Sequence, residues 1–164
     1  MPICSLWSRS TGGRLKISCT ALLGDDYRFL GVVSGAEKQK VIEAADIFVL
    51  PSRYGEGLPI ALLETMANGV VPVVTGDASM KVVVRSSHNG LIVSKRDPAD
   101  RASKILALLQ DEGTMRRLSQ AAERTIRDHY GIEGYLSALE SIYQRSVALP
   151  GSHIPRRIDD THSG

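Results

Sequence analysis

The residues of this chain best suited to chemistry lie in one segment, Leu50-Pro51-Ser52-Arg53-Tyr54-Gly55-Glu56-Gly57-Leu58-Pro59-Ile60-Ala61-Leu62-Leu63-Glu64. An apolar run ends at Pro51, a loop with two glycines follows, and a helix is predicted from Pro59, whose missing N–H costs nothing in a first turn. A helix start carries unpaired N–H groups and a partial positive charge, which together suit a phosphate. Glu56 stands in the loop just before it, and Glu64 lies inside it, roughly 7 Å along the axis from the first turn. Ionised carboxylates only accept hydrogen bonds, so they suit sugar and ribose hydroxyls. One ligand with hydroxyls at both ends and a diphosphate between could touch both acids and the amides together. Gly55 and Gly57 remove side chains where such a ligand must approach backbone. Without further context the two acids would be no more than solvated carboxylates favouring a helix dipole.

The elements that must position this segment follow from the sequence pattern. Tyr27–Gly31 is a short β-type run, and residues 36–45 have helical composition. Residues 46–50 (DIFVL) form a continuous apolar run, as expected for a parallel strand buried on both faces. A helix over 59–67 is closed by Asn68-Gly69, and a strand follows over 70–75. Val82–Val84 and Leu91–Val93 flank a turn at His88-Asn89-Gly90. Asp97-Pro98 opens a helix with Ile105, Leu106, Leu108 and Leu109 as its apolar stripe, and Gly113 breaks it. Two more helices are predicted over 114–129 and 132–145. The fold class is therefore α/β, a Rossmann-like parallel sheet flanked by helices, with extra C-terminal helices. Residues 21–147 make one domain, 1–20 read as a poorly ordered lead or the remnant of a first βα element, and 148–164 as a disordered tail.

Composition narrows the function classes. At 164 residues there is room for about one domain. A formal net charge of +2 is too small to argue by itself for nucleic acid or a membrane surface, and no nucleic-acid partner is expected. Arg116, Arg117, Arg124 and Arg127 read as a solvated helix face with Glu123 and Asp128. The four histidines show no metal-ligand spacing, so no metal or cofactor is expected, and Cys4 and Cys19 read as reduced thiols. No apolar stretch approaches the length of about 20 residues that a membrane helix requires, and no signal-peptide pattern is present, so the expected compartment is cytoplasmic.

The pattern Glu56-Gly57-x-Pro59 with Glu64 after seven intervening residues resembles the signature of retaining GT-B glycosyltransferases of the family-4 type, the glycosyl transferases group 1. The same family is suggested by Ala45–Ser52, Met66-Ala67-Asn68-Gly69, Pro72-Val73-Val74, Asn89-Gly90-Leu91 and Arg28–Val33, all in order between about Asp26 and Tyr143. The resemblance implies a nucleotide-sugar-binding C-terminal half. In it Glu56 would contact hydroxyls of the transferred sugar, and Glu64 would accept from the ribose. The amides of Gly57 and Leu58 would face sugar and diphosphate, and Gly31, Val32 and Val33 would hold the base. Tyr54, beside Gly55, is a candidate for the sugar pocket wall. The partners implied are a nucleotide-diphosphate sugar donor and an N-terminal acceptor domain missing from this chain, with peripheral membrane association considered for the full enzyme.

Three departures qualify those expectations. No second Rossmann-like domain is present in these residues, and the family's usual opening, a strand followed by Gly-Arg and later Lys-Gly whose basic residues clamp the diphosphate, is not recognisable; Arg9, Arg14 and Lys16 stand in no such context. Asp77-Ala78-Ser79-Met80-Lys81 stands where paired glycines and an acid are usual. Each lost charge-assisted contact to phosphate removes about 1.5–3 kcal/mol, so the chain is expected to bind donor weakly and to turn over none. A non-catalytic nucleotide- or partner-binding module is the alternative; a sugar-nucleotide epimerase is disfavoured by the Glu-Gly-Leu-Pro pattern.

Overall fold

The computed structural model describes residues 3–6, 19–52 and 57–147. Five strands alternate with helices: β1 (Ile3–Leu6), β2 (Tyr27–Gly31), α1 (Gly35–Glu43), β3 (Ile47–Leu50), α2 (Ile60–Ala67), β4 (Val71–Thr75), α3 (Ala78–Val83), β5 (Leu91–Val93), α4 (Pro98–Gln110), α5 (Glu112–His129) and α6 (Ile132–Val147). Residues 19–23 are helical and lead through a 3-10 turn at Gly24–Asp26 into β2. All pairings are parallel: β1 with β2, and β3, β4 and β5 in that order. Parallel neighbours need a crossover, and α2 and α3 supply it on either side of β4.

Side-chain alternation divides the second sheet cleanly. Odd-numbered Ile47, Val71, Val73, Leu91 and Val93 pack with Leu108 of α4 and Leu118 of α5. Even-numbered Phe48, Leu50, Val74 and Ile92 pack with Leu62 and Met66 of α2, Met80 and Val83 of α3, and Ala122 of α5. A period of two along each strand requires this division, and helices cover both faces. All five residues of the central strand β4 are buried. Pro72 is tolerated there because β5 joins the ladder only at Val73, so at Pro72 the strand is flanked by β3 alone.

Several expectations need correction. The 46–50 run is not buried on both faces: Val49 is 38% exposed, because β3 has a hydrogen-bonded neighbour on one side only among the described residues. Val82 and Val83 close α3, with Val83 in the core and Val82 outside. Leu106 and Leu109 are each 57% exposed, so the stripe of α4 narrows to Ile105 and Leu108. Gly113 does not break the helical run. Asp111 ends α4 and caps α5, its carboxylate accepting from Thr114 N at 2.9 Å, and Gly113 lies in the first turn of α5. Ile3–Leu6 forms a strand within a stretch that has no clean period. The tail expected over 148–164 lies outside the described residues.

Other local signals act as their chemistry dictates. Asp97 Oδ1 accepts from Asp100 N at 2.9 Å and caps α4 ahead of Pro98. At the end of α2, Gly69 N donates to Met66 O and Val70 N to Thr65 O, both at 3.0 Å, which is a Schellman closure. Gly69 takes φ +73° there, a conformation a side chain resists. Asn89 is buried; its Oδ1 accepts from Arg85 N at 2.7 Å, and its Nδ2 donates to Val83 O at 2.9 Å and Thr125 Oγ1 at 3.0 Å. A Cβ on Gly90 would come within 2.8 Å of Pro72 O. The Asn89-Gly90 pair therefore fastens α3, β4 and α5 together.

Candidate functional site

In an open parallel sheet, ligands bind beyond the carboxyl ends of the strands. Beyond β3, Ser52 is buried, and its carbonyl accepts from Thr75 Oγ1 at 3.0 Å, tying the ends of β3 and β4 together. Tyr54 and Glu56 lie outside the described residues. The chain resumes at Gly57 and Leu58, both exposed, and enters α2 at Ile60 with Pro59 as its N-cap. Pro59 offers no side-chain cap, so the first turn of α2 presents its amides without a side-chain acceptor from that position. Among the described residues, a Cβ at Gly57 would meet nothing within 4 Å.

Glu64 sits in the second turn of α2, half-buried, and its Oε1 accepts from Lys38 Nζ of α1 at 2.6 Å. Beside this ion pair, Gln39 Nε2 donates to Asn68 Oδ1 at 3.2 Å, and Asn68 Nδ2 donates to Glu64 O at 2.8 Å. These bonds join α1 to α2. The loop ahead of α1 carries Gly31 at φ +67°, Val32 at 78% exposure and a half-buried Val33. Gly31 ends β2, and its positive φ turns the chain toward α1 without a side-chain clash. The structure thus joins the α1 that follows the Gly31–Val33 loop to Glu64, through Lys38, while Gly57 and Leu58 stand at the other end of α2.

A second ion pair at the carboxyl edge escaped the sequence reading. Asp77, two residues beyond the end of β4, is buried and paired through Oδ1 with Lys95, two residues beyond the end of β5. Strand register provides a signal that could have found it: Thr75 pairs with Val93, and each charged residue stands two positions further on. Asp77 Oδ2 is buried without a hydrogen-bond partner among the described residues. Such an oxygen typically costs about 1–3 kcal/mol.

The other features lie elsewhere. A cavity of about 430 Å³ lined by Asp46, Asn68, Gly69, Leu108, Met115 and Arg116 opens at the amino end of β3 and β4, opposite the candidate site. Two shifted carboxyls also stand away from it. Asp100 is held below the usual carboxylate range by the Ser94 amide and then by Lys104, and Asp111 by the Thr114 amide. Arg116, Arg117, Arg124 and Arg127 are all exposed on α5. Among the described residues, no three His, Cys, Asp or Glu side chains gather in a way that could hold a metal ion, and no helix is long and apolar enough to cross a membrane.

Among the described residues, the start of α2 has no side-chain cap from Pro59 and the Asp77–Lys95 pair stands at the strand ends of this parallel α/β domain. The chain belongs to the glycosyl transferases group 1 family, whose model matches residues 15–125. It is 32% identical over 133 residues to a phosphatidyl-myo-inositol mannosyltransferase of Mycobacterium leprae, covering 80% of this chain and 35% of that protein. The chain spans about a third of the length of the curated relatives it matches. Among solved structures it resembles the C-terminal domain of a glycosyl transferase group 1 family protein from Francisella tularensis, with a TM-score of 0.65 and 23% identity, covering 73% of this chain and 62% of that one. It also resembles an Anabaena protein, HepE, whose structure contains UDP and glucose, with a TM-score of 0.74 and 15% identity, covering 87% of this chain and 40% of that one. These likenesses are of fold: an α/β parallel sheet flanked by helices, as in the C-terminal domains of GT-B glycosyltransferases.

Proposed function

We propose that this chain is the donor-binding part of a retaining glycosyltransferase, holding a nucleoside-diphosphate sugar at the carboxyl edge of its sheet. The observation that carries this reading is the single edge at which the open start of α2 and the strand-end loops meet, with Glu64 half-buried on the same helix. In this reading Glu56 engages the transferred sugar, and the amides of Gly57 and Leu58 face sugar and diphosphate. Glu64 accepts from the ribose, the Gly31–Val33 loop holds the base, and Tyr54 walls the sugar. A helix start favours the diphosphate by about 0.3–1 kcal/mol where solvent is near, which alone gives weak binding. An acceptor domain supplied elsewhere in the working enzyme would complete the reaction, and the compartment we assign is the cytoplasm.

The test is an NMR titration of the isotope-labelled chain with UDP, GDP and ADP and their glucose or mannose conjugates. We expect saturable shifts in residues 31–38 and 57–64 at concentrations above micromolar, diminished in Glu64→Gln. Shifts confined to the amino-edge cavity, or none, would refute the assignment. The second reading, a non-catalytic nucleotide-binding module, draws on Asp77-Ala78-Ser79-Met80-Lys81 standing where paired glycines and an acid are usual. Sugar transfer after joining an acceptor domain to this chain would exclude it.

A further inference from the structure

Helix α1 is lightly attached to the rest of the fold. Ile42 is its only buried residue, and the ties to α2 are polar: Lys38 to Glu64 and Gln39 to Asn68. Lys38 stands in the first turn of α1, four positions beyond Ser34, whose carbonyl accepts from Lys38 N at 3.4 Å. It is thus the first side chain after the Gly31–Val33 loop to reach across to α2. Its ammonium donates to Glu64 Oε1 at 2.6 Å. A carboxylate has about four lone-pair positions on two oxygens, so one bond from Lys38 leaves accepting capacity for a ligand.

We propose that Lys38 is a positioning residue for nucleotide recognition: it fixes the Glu64 carboxylate through Oε1, leaves Oε2 directed to the ribose hydroxyls, and sets the spacing between the base-holding loop and the ribose acid. This rests on the donor-site reading above, in which Glu64 meets the ribose. A glutamate side chain has three rotatable bonds, and holding it in one arrangement before the ligand arrives removes an ordering cost that binding would otherwise bear. The two cross-helix ties are not equivalent. Gln39 to Asn68 joins two amides and could be lost without disturbing a ligand contact, whereas Lys38 touches the carboxylate itself.

The test compares nucleoside diphosphates with their 2′,3′-dideoxy forms on the 164-residue chain by NMR titration. Lys38→Met is expected to weaken binding of the ribose form by about tenfold, the cost of ordering one long side chain, and to change the dideoxy form less than about twofold. Lys38→Arg should restore the preference for the hydroxyls, and Gln39→Ala should leave it intact while loosening α1 to a similar degree. Equal loss for both ligand forms would make Lys38 a structural tie only and overturn the proposal. Tighter binding of the ribose form would make Lys38 a competitor of the ligand, and would overturn it too. Glu64→Gln separates the two levels: if it spares the ribose preference, the donor-site reading itself fails; if it abolishes the preference while Lys38→Met does not, only the present inference fails.

Discussion

Replacing Asn89 by alanine tests whether the Asn-Gly turn is a structural fastener. The side chain is 1% exposed and makes three hydrogen bonds, to Arg85 N, Val83 O and Thr125 Oγ1. Their loss is unequal. The Arg85 amide belongs to an exposed residue, so water replaces Asn89 there at small cost. Thr125 Oγ1 still donates to Ala121 O at 2.7 Å and forfeits only its accepting role. The Val83 carbonyl belongs to a residue 2% exposed and would be left without Asn89, the dearest of the three. Taking about 1–3 kcal/mol for the stranded carbonyl and about 0.5 kcal/mol for each of the others gives about 2–4 kcal/mol in total. For a chain of this size that lowers Tm by roughly 4–16 °C. Urea unfolding followed by circular dichroism measures it directly, with Thr125→Val expected near 1 kcal/mol as the partial deletion. Asn89→Asp should cost at least as much as alanine, because a carboxylate oxygen would then face the Val83 carbonyl. A loss below about 1 kcal/mol for Asn89→Ala would refute the reasoning, since one unsatisfied buried carbonyl alone exceeds it.

Gly90→Ala should destabilise by about 2–4 kcal/mol in the same assay, because its Cβ would fall 2.6 Å from Pro72 Cγ and 2.8 Å from Pro72 O. Gly57→Ala, whose Cβ meets nothing within 4 Å among the described residues, should stay within about 0.5 kcal/mol of the parent. Arg96 takes φ +58°, so Arg96→Gly should raise stability by about 0.5 kcal/mol, the relieved strain being partly offset by unfolded-chain entropy; a lower urea midpoint would contradict this. Asp100 and Asp111 have carboxyls lowered by hydrogen bonds made in the fold, so their contribution is present above the unfolded carboxylate value near 4 and lost as pH falls through the lowered ones. Acid titration of unfolding stability should therefore be flatter below about pH 4 in Asp100→Asn and Asp111→Asn, and an unchanged slope would remove these groups as its source.

Much of the fold was legible because local chemistry and tertiary need coincide. Asp97-Pro98 caps a helix, Asn68-Gly69 closes one, and the short apolar runs at 46–50 and 70–75, rich in β-branched and aromatic residues, favour strands. Burial was less legible, since it depends on strand order. The composition of residues 46–50 resembles that of β4, yet one is an edge and the other the centre. The site divides the same way. Gly57, Leu58 and Glu64 could be proposed from the sequence because one loop and one helix carry them. Lys38, Asp77 and Lys95 were missed because their partners come from other elements, and only helix packing and strand register bring them together.

The five buried residues of β4 have a kinetic corollary. Amides protected from exchange until the whole chain unfolds belong at that strand, whereas α1, anchored by Ile42 and two polar ties, belongs to the part that opens with the least free energy. If the proposed donor site holds a nucleotide, capture is a local ordering event: deuterium uptake along residues 35–43 should slow on binding while β4 exchanges at an unaltered rate, the frame enduring and its margin responding.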